Sequence, residues 1–155
     1  MKVFLRELEV NDAEIAWEWR NDPEVWKLTG RKWNNHVTQK IEEDWIKKVK
    51  EEKDSVRFAI CVGDEKEYVG NVQLTNIEKG SGIFHIFIRN KNYWGKGIGE
   101  KATKLLIDYT KANLELKAIK LLVRINNKAA IKIYEKVGFC VENIDNENIS
   151  MIYKI

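Results

Sequence analysis

The fold of this chain is decided by the stretch Tyr93-Trp94-Gly95-Lys96-Gly97-Ile98-Gly99. An apolar run over residues 83–88 precedes it and predicts a buried strand. Apolar residues then recur at helical spacing over residues 100–113 and predict an amphipathic helix. Three glycines on alternate positions let the backbone turn tightly between strand and helix, and they leave its amide groups open to a ligand. Because the first N–H groups of a helix have no partner within the helix, we predict an anion site here, best suited to phosphate.

This glycine spacing differs from two familiar phosphate-binding loops. A P-loop needs Ser or Thr directly after its Lys, but Gly97 follows Lys96. A dinucleotide-binding loop has its third glycine one residue later than Gly99 and lies within a βαβ unit. The remaining alternative is a glycine-rich turn that binds no ligand, since short motifs also match by chance.

Length and composition predict one globular domain covering residues 1–155. The chain is 44% apolar and 33% charged, and no apolar run approaches the ~20 residues that span a bilayer. Its 27 basic and 24 acidic residues are interleaved, whereas a nucleic-acid-binding protein concentrates basic residues on one face. Two cysteines, Cys61 and Cys140, are too few for a disulfide framework or a metal cluster. We therefore expect a cytoplasmic protein without a metal, and neither nucleic acid nor a membrane as its partner.

Hydrophobic periodicity and turn residues predict the element order β-α-α-β-β-β-α-β-α-β-β. The predicted strands span residues 3–8, 56–62, 68–75, 83–88, 118–124, 139–142 and 149–155. Pro23 is expected to end the first helix, which leaves residues 24–37 irregular or weakly helical. Thr38 can cap a second helix whose buried stripe is Ile41, Trp45 and Val49, and Asn127 can cap the fourth helix. The predicted fold class is α/β (α+β), a mixed and mostly antiparallel sheet of about seven strands with helices on both faces.

Two segments resemble the GNAT superfamily of N-acetyltransferases. The first is the glycine stretch, and the second is Asn126-Asn127-Lys128-Ala129-Ala130-Ile131-Lys132-Ile133-Tyr134-Glu135-Lys136-Val137-Gly138-Phe139. The spelling Trp-Arg-Asn-Asp-Pro-Glu at residues 19–24 is similar to one branch, which contains ribosomal-protein N-terminal, polyamine, aminoglycoside and nucleotide-amino-sugar acetyltransferases. The resemblance implies a GNAT fold, an amine acceptor, and acetyl-CoA as co-substrate in a cleft where the fourth and fifth strands splay apart. It also allows a homodimer, which this branch often forms.

By this resemblance, acetyl-CoA is bound by the end of the fourth strand, the glycine loop and the last helix. The predicted cofactor-binding residues are Ile88, Arg89, Trp94, Gly95, Lys96, Gly97, Ile98, Gly99 and Asn127. Trp94 departs from the superfamily, which has Arg or Gln there, so backbone amides would supply most of the pyrophosphate binding. A backbone N–H within residues 87–89 would stabilise the negative charge that develops on the thioester carbonyl oxygen.

Tyr134 is the predicted catalytic acid, because the departing thiolate needs a proton and a phenol with a pKa near ~10 can give one. The alternative for this residue is a plain core aromatic. Many superfamily members have Glu on the fourth strand where this chain has Ile83, and His85 shares a strand face with Ile83. His85 is therefore a candidate catalytic base, with a core histidine as its alternative. The competing bases are Asp22, Glu24 and His36.

The Trp-rich segment after the first helix is predicted to bind the acceptor, because by resemblance it covers the mouth of the cleft. Its predicted substrate-binding residues are Trp26, Arg31 and Glu24. Aromatic walls with a few polar groups suit a small polar ligand, and an arginine can bind a phosphate or a carboxylate. We expect a small amine or amino sugar as acceptor, or else the N-terminus of a peptide or ribosomal protein. The alternative functions are a non-catalytic acyl-CoA-binding sensor or interaction module and, less favoured, a nucleotide-binding module.

Overall fold

The computed structural model describes residues 1–29 and 35–155, and a seven-stranded sheet lies at its centre. The strands are β1 (Val3–Glu7), β2 (Val56–Val62), β3 (Glu67–Glu78), β4 (Ser81–Ile88), β5 (Ala118–Arg124), β6 (Cys140–Ile144) and β7 (Asn148–Lys154). Their order across the sheet is β1-β2-β3-β4-β5-β7-β6, so the C-terminal strand is inserted beside β5. This mixed sheet confirms the predicted fold class.

Five α-helices in the described residues cover both faces of the sheet. They are α1 (Ala13–Arg20), α2 (Pro23–Thr29), α3 (Gln39–Lys50), α4 (Ile98–Asn113) and α5 (Lys128–Val137), with 3-10 turns at Val10–Asp12 and Lys91–Tyr93. Helices α4 and α5 pack on one face through a core that includes Leu106 and Met151. Helices α1 and α3 pack on the other face through Ala16 and Ile46. None of these described helices is long and apolar enough to cross a membrane.

Strands β4 and β5 are paired over only part of their length. They form the parallel pair of the sheet, while the other neighbouring strands are antiparallel. The paired residues are Ser81 with Ala118, Gly82 with Ile119, and Ile83 with Lys120. Strand β4 then continues to Ile88 without β5 beside it, so a cleft opens between the two strands. The predicted separation of the fourth and fifth strands is thus confirmed.

Helix α2 makes the segment after Pro23 more regular than predicted. Pro23 ends α1 and also begins α2, because proline fits the first turn of a helix, where its missing N–H needs no partner. The Asp22 carboxylate caps α2 by accepting a hydrogen bond from the Glu24 N–H at 2.9 Å. The predicted acceptor residue Arg31 belongs to residues 30–34 and lies outside the described part of the chain.

Helix α3 begins as predicted but buries a different stripe. Thr38 caps it, since its hydroxyl oxygen accepts the Ile41 N–H at 3.2 Å. Ile41 itself is 50% exposed, which contradicts the predicted stripe. The inner face instead carries Glu42, Ile46 and Val49. A glutamate can face inward here because Arg20 on α1 places its Nε 3.5 Å from Glu42 Oε2, and an ion pair offsets part of the cost of burying the carboxylate.

Candidate functional site

A cleft of about 370 Å³ lies where β4 separates from β5. The end of β4, the glycine loop, the first turn of α4 and helix α5 contribute its walls. The predicted site residues in these walls are Ile88, Trp94, Gly95, Lys96, Gly97, Ile98, Gly99, Asn127 and Tyr134. The fold therefore brings together the two segments on which the resemblance rested.

The glycine loop adopts a backbone conformation that residues with side chains rarely take. Gly95 and Gly97 have φ values of 73° and 78°, in the left-handed region, and Gly97 is the N-cap of α4. A Cβ added at Gly95, Gly97 or Gly99 would meet no described atom within 4 Å. Packing against neighbours therefore does not require these glycines. The open space lies beside the unpaired N–H groups of the helix start, which fits the pyrophosphate of acetyl-CoA.

Trp94 connects the glycine loop to the end of β4. Its indole Nε1 donates a hydrogen bond to the Ile88 carbonyl oxygen at 2.6 Å. The indole N–H is therefore occupied by the protein itself, and the residue contributes its ring to the cleft wall. That Trp94 gives no polar contact to a pyrophosphate stays a prediction.

The backbone N–H and C=O of Ile88 point away from β3. The following residue, Arg89, donates its N–H to the Val69 carbonyl of β3 at 2.9 Å. Because the backbone N–H and C=O groups of successive strand residues point to opposite sides, those of Ile88 face the side from which β5 has separated. The bond from Trp94 to the Ile88 carbonyl agrees with this orientation. Within residues 87–89, the Ile88 N–H is thus better placed than the Arg89 N–H to meet a carbonyl oxygen in the cleft.

Tyr134 lies within α5 and contributes to the cleft wall. Its ring packs edge-on against Phe84 and Phe139, with ring centroids 5.9 and 5.7 Å apart. Burial raises the pKa of its phenol to about 12, so the hydroxyl keeps its proton at neutral pH. A protonated hydroxyl beside a cleft has the chemistry of a proton donor, while the ring also belongs to the core.

Asn127 caps α5 and also lies at the cleft, while its predicted role in binding the co-substrate stays a prediction. Its side-chain carbonyl accepts the Ala130 N–H at 3.3 Å and so caps α5. The residue also lines the cleft. Its side-chain NH₂ group has no partner among the described residues, so it is available to a ligand.

His85 is on the other face of β4. Its neighbours Phe84 and Ile86 pack into the core on the α4–α5 side, so alternation along the strand turns His85 toward the α1–α3 side. There its Nε2 lies 3.4 Å from Thr75 Oγ1. His85 is not part of the cleft wall that contains Tyr134, and its role as base stays a prediction.

Carboxylates near the start of α2 are already paired. Lys91 Nζ lies 3.0 Å from Asp22 Oδ2 and 3.6 Å from Glu24 Oε1. Lys91 belongs to the 3-10 turn between β4 and the glycine loop, so these ion pairs tie α2 to that turn. Glu24, one of the predicted substrate-binding residues, therefore shares a lysine with Asp22 as its ion-pair partner.

Trp26 is held against α1. Its indole N–H donates to the Arg20 carbonyl, and the Arg20 guanidinium lies over its ring, 5.8 Å from the centroid. Neither Trp26 nor Glu24 lines the cleft, but Val25 between them does, and Val25 is buried. Helix α2 therefore reaches the cleft through a residue that sequence reasoning did not select.

Sequence reasoning also missed Thr103 and Ile133, which line the cleft. The Thr103 hydroxyl donates to the Gly99 carbonyl at 2.7 Å and so stabilises the first turn of α4. The sequence could have indicated Thr103, because it lies one helical turn after Gly99 and so shares a helix face with the glycine loop. Val25 gave no signal, because α2 itself was not predicted as a regular helix.

Comparison with known proteins gives consistent matches. The family model of the acetyltransferase (GNAT) domain matches residues 2–140. An uncharacterized N-acetyltransferase, p20, from Bacillus licheniformis is 29% identical over 147 residues, which cover 92% of this chain and 82% of the relative. Spermidine N(1)-acetyltransferase from Escherichia coli strain K12 is 37% identical over 87 residues, 56% of this chain and 46% of the relative.

Solved structures share the fold. The crystal structure of spermidine N-acetyltransferase from Vibrio cholerae, in complex with CoA and spermine, has a TM-score of 0.86 at 23% identity and covers 98% of this chain and 95% of its own. An aminoglycoside acetyltransferase in complex with coenzyme A has a TM-score of 0.80 at 19% identity, with coverage of 99% and 95%.

Proposed function

The chain belongs to the GNAT family of acetyltransferases and is an acetyl-CoA-dependent N-acetyltransferase, and we propose that its acceptor is a small primary amine. The family match favours an acetyltransferase over the two alternatives from the sequence, which were an acyl-CoA sensor without turnover and a nucleotide-binding module. Membership of the branch with ribosomal-protein and amino-sugar acetyltransferases stays a prediction.

The observation that carries the proposal is the cleft between β4 and β5. Pairing of β4 with β5 stops at Ile83, while β4 continues to Ile88. The resulting cleft is lined by Ile88, the glycine loop and Tyr134. A thioester bound by the loop at one end can present its carbonyl to the peptide group and its sulfur to the phenol. No single element of the fold supplies all three.

The residues divide the chemistry as follows. Bound acetyl-CoA supplies a thioester, whose carbonyl carbon forms a C–N bond with a neutral amine as its C–S bond breaks. The Ile88 N–H donates to the carbonyl oxygen, where negative charge develops. The electron pair of the broken bond stays on sulfur, Tyr134 gives sulfur a proton, and solvent restores the phenol. The proton of the amine passes to a base, for which His85 is the candidate, directly or through water.

The preference for a small amine rests on two supports. The E. coli relative is a spermidine N(1)-acetyltransferase, and the cleft has a volume of about 370 Å³ with the buried Val25 of α2 in its wall, which suits a small ligand. A peptide N-terminus is the second candidate, since an extended chain can enter a cleft beside an open strand edge. An amino sugar remains within the small-amine class.

A panel of amines tests the proposal. Acetyl-CoA is incubated with diamines, amino sugars, amino acids and short peptides, and acetylated products are scored by mass. We expect at least one small amine to be acetylated with release of one CoA per product, and Tyr134→Phe to slow that reaction. Acetylation of peptide N-termini alone would overturn the choice of acceptor, and no product with any amine would overturn the proposed activity.

We also propose that residues 1–155 form one domain, since all seven strands of the described residues belong to one sheet.

We further propose a homodimer formed through β6. This strand lies at one edge of the sheet, and all five of its residues are exposed. Val141 and Ile144 expose 48% and 58% of their surface there. An apolar edge strand can pair with a second copy, and a V. cholerae spermidine N-acetyltransferase has a dodecameric structure. Light scattering should give at least twice the chain mass; a monomer at all concentrations would contradict the homodimer.

A further inference from the structure

A charged cluster lies between the sheet and helices α1 and α3. Glu42 on α3 is 2% exposed, and Arg20 on α1 approaches it with Nε 3.5 Å from Oε2. The charges of Arg20 and Glu42 also affect the pKa of Arg89, which follows β4 directly. The cluster therefore contains two guanidinium groups and one carboxylate, which leaves an excess positive charge in a half-buried place.

Arg89 is the cation without a counterion. Its guanidinium lies over the Phe87 ring, 4.8 Å from the centroid. Its buried Nε donates to nothing, and among residues 1–29 and 35–155 no carboxylate forms an ion pair with it. Residues 30–34 contain no Asp or Glu. Burial and the nearby charge of Arg20 lower the pKa of Arg89 to about 10, which still leaves it charged at neutral pH.

This cation is adjacent to the candidate reaction centre. Arg89 follows Ile88, whose N–H is the candidate donor to the carbonyl oxygen, and it stacks on Phe87, which lines the cleft. Asp22 and Glu24 share Lys91 as their ion-pair partner, and neither forms an ion pair with Arg89. The carboxylates named here are therefore paired with Arg20 or Lys91, and Arg89 remains beside β4 as a cation that forms no ion pair among the described residues.

We propose that the acceptor amine carries an anionic group, a carboxylate or a phosphate, and that Arg89 binds this group. The inference rests on the proposed function and narrows its acceptor class. A guanidinium with free N–H groups offers two parallel donors to either anion. Binding also supplies the counterion that Arg89 lacks, so the desolvation cost of the arginine is recovered when the acceptor arrives.

Matched acceptor pairs that differ in one charge test the inference. One pair is β-alanine and β-alaninamide, which tests a carboxylate, and the other is glucosamine 6-phosphate and glucosamine, which tests a phosphate. Spermidine serves as the polycationic comparison. A charge-assisted contact predicts a kcat/KM about 10- to 100-fold higher for the anionic member of at least one pair. The preferred pair identifies the anion.

Two variants show whether Arg89 causes the preference. Arg89→Gln should remove the preference by raising KM for the anionic acceptor alone, and Arg89→Lys should restore part of it. Arg57→Gln is the matched control, because Arg57 is on the same sheet face but its guanidinium already binds Gln73 and Glu52. This control should leave the ratio of kcat/KM values unchanged, whatever it does to stability.

The outcomes separate this inference from the proposed function. Acetylation of neutral amines or spermidine without preference for an anionic partner would overturn the inference and leave the activity standing. An unchanged preference in Arg89→Gln would overturn the role of Arg89. If no member of either pair, nor spermidine, were acetylated, the proposed acceptor class would fail and the inference with it.

Discussion

The indole Nε1 of Trp94 lies 2.6 Å from the carbonyl oxygen of Ile88, across the turn that joins β4 to the glycine loop. This bond fixes two parts of the candidate site relative to each other. One is the open edge of β4, and the other is the loop whose glycines begin α4. At this position the superfamily pattern has Arg or Gln, a polar residue that can contact the ligand. In this chain the position holds Trp94, whose side chain instead links the loop to β4.

Trp94→Phe removes this hydrogen bond and keeps an aromatic ring. An unpaired carbonyl at a partly buried site costs about 1–3 kcal/mol, and we expect the free energy of unfolding to fall within that range. Because the loop loses its anchor, the Kd of acetyl-CoA should rise about tenfold, equal to about 1.4 kcal/mol. Denaturant unfolding and calorimetry measure the two effects. Trp17→Phe is the control for the same chemical change away from the cleft, and an unaltered Kd in Trp94→Phe would contradict the support role.

Gly97 and Gly63 form a matched pair for testing the loop. Their φ values are 78° and 73°, and an added Cβ at either would meet no described atom within 4 Å. Gly97→Ala and Gly63→Ala should each lose about 1–2 kcal/mol of stability from backbone strain. Only Gly97 lines the cleft, so only Gly97→Ala should also reduce the thermal shift given by acetyl-CoA. Equal shifts in both variants would show that the loop does not bind the co-substrate.

The sequence predicted those parts of the fold that depend on local signals. Strands β2 and β5 begin and end at the predicted residues, because each is a short apolar run bounded by turn residues. Asn127 was predicted to cap α5 and does so. The GNAT fold and acetyl-CoA as co-substrate followed from two motifs and are confirmed by the family match.

The features that the sequence did not predict depend on contacts between distant residues. Glu42 faces inward only because Arg20, on another helix, lies beside it. Likewise, the peptide direction of Ile88 follows from the register of β4 on β3, which no local pattern encodes. Arg89 was predicted as a cofactor residue from its position alone; it stacks on Phe87, which lines the cleft, but does not itself line the cleft.

Tyr134→Phe tests the proton donor while keeping the ring and its packing against Phe84 and Phe139. A positioned acid contributes about 10²–10⁴ in rate, so we expect kcat to fall within that range with the Kd of acetyl-CoA little changed. Rapid-mix measurement of a single turnover checks that chemistry limits the rate. If single-turnover rates match those of the unaltered protein, Tyr134 is a core residue and another group protonates the sulfur.

The pH dependence of kcat tests the protonation state of Tyr134. Burial raises the pKa of this phenol from 10.0 to about 12, so the folded state holds the proton more tightly than the unfolded state. Its contribution to stability is therefore complete below pH 10 and is lost as the pH rises toward 12. At pH 10 the phenol should be roughly 1% ionised rather than half ionised. We expect kcat to show no falling limb from Tyr134 up to that pH; a decline to half its value, absent from Tyr134→Phe, would contradict the raised pKa.

Trp26 and Trp45 allow a test of how α2 affects the acceptor. Both rings pack against the Arg20 guanidinium, at 5.8 and 5.2 Å from their centroids. Only Trp26 is on α2, whose Val25 lines the cleft, and only its indole is bonded to the Arg20 carbonyl. Trp26→Phe should therefore let α2 shift and raise the acceptor KM about three- to tenfold, the loss of roughly one hydrogen bond. The KM for acetyl-CoA should stay the same.

Trp45→Phe is the control, because it weakens packing on the same guanidinium from α3 and leaves α2 in place. It should lower stability without changing the acceptor KM. Steady-state kinetics of both variants with one acceptor at saturating acetyl-CoA give the comparison. An equal rise of KM in the two variants would mean that the tryptophans act through Arg20 and the charged cluster. The acceptor would then be positioned by that cluster, and α2 would only cover the sheet.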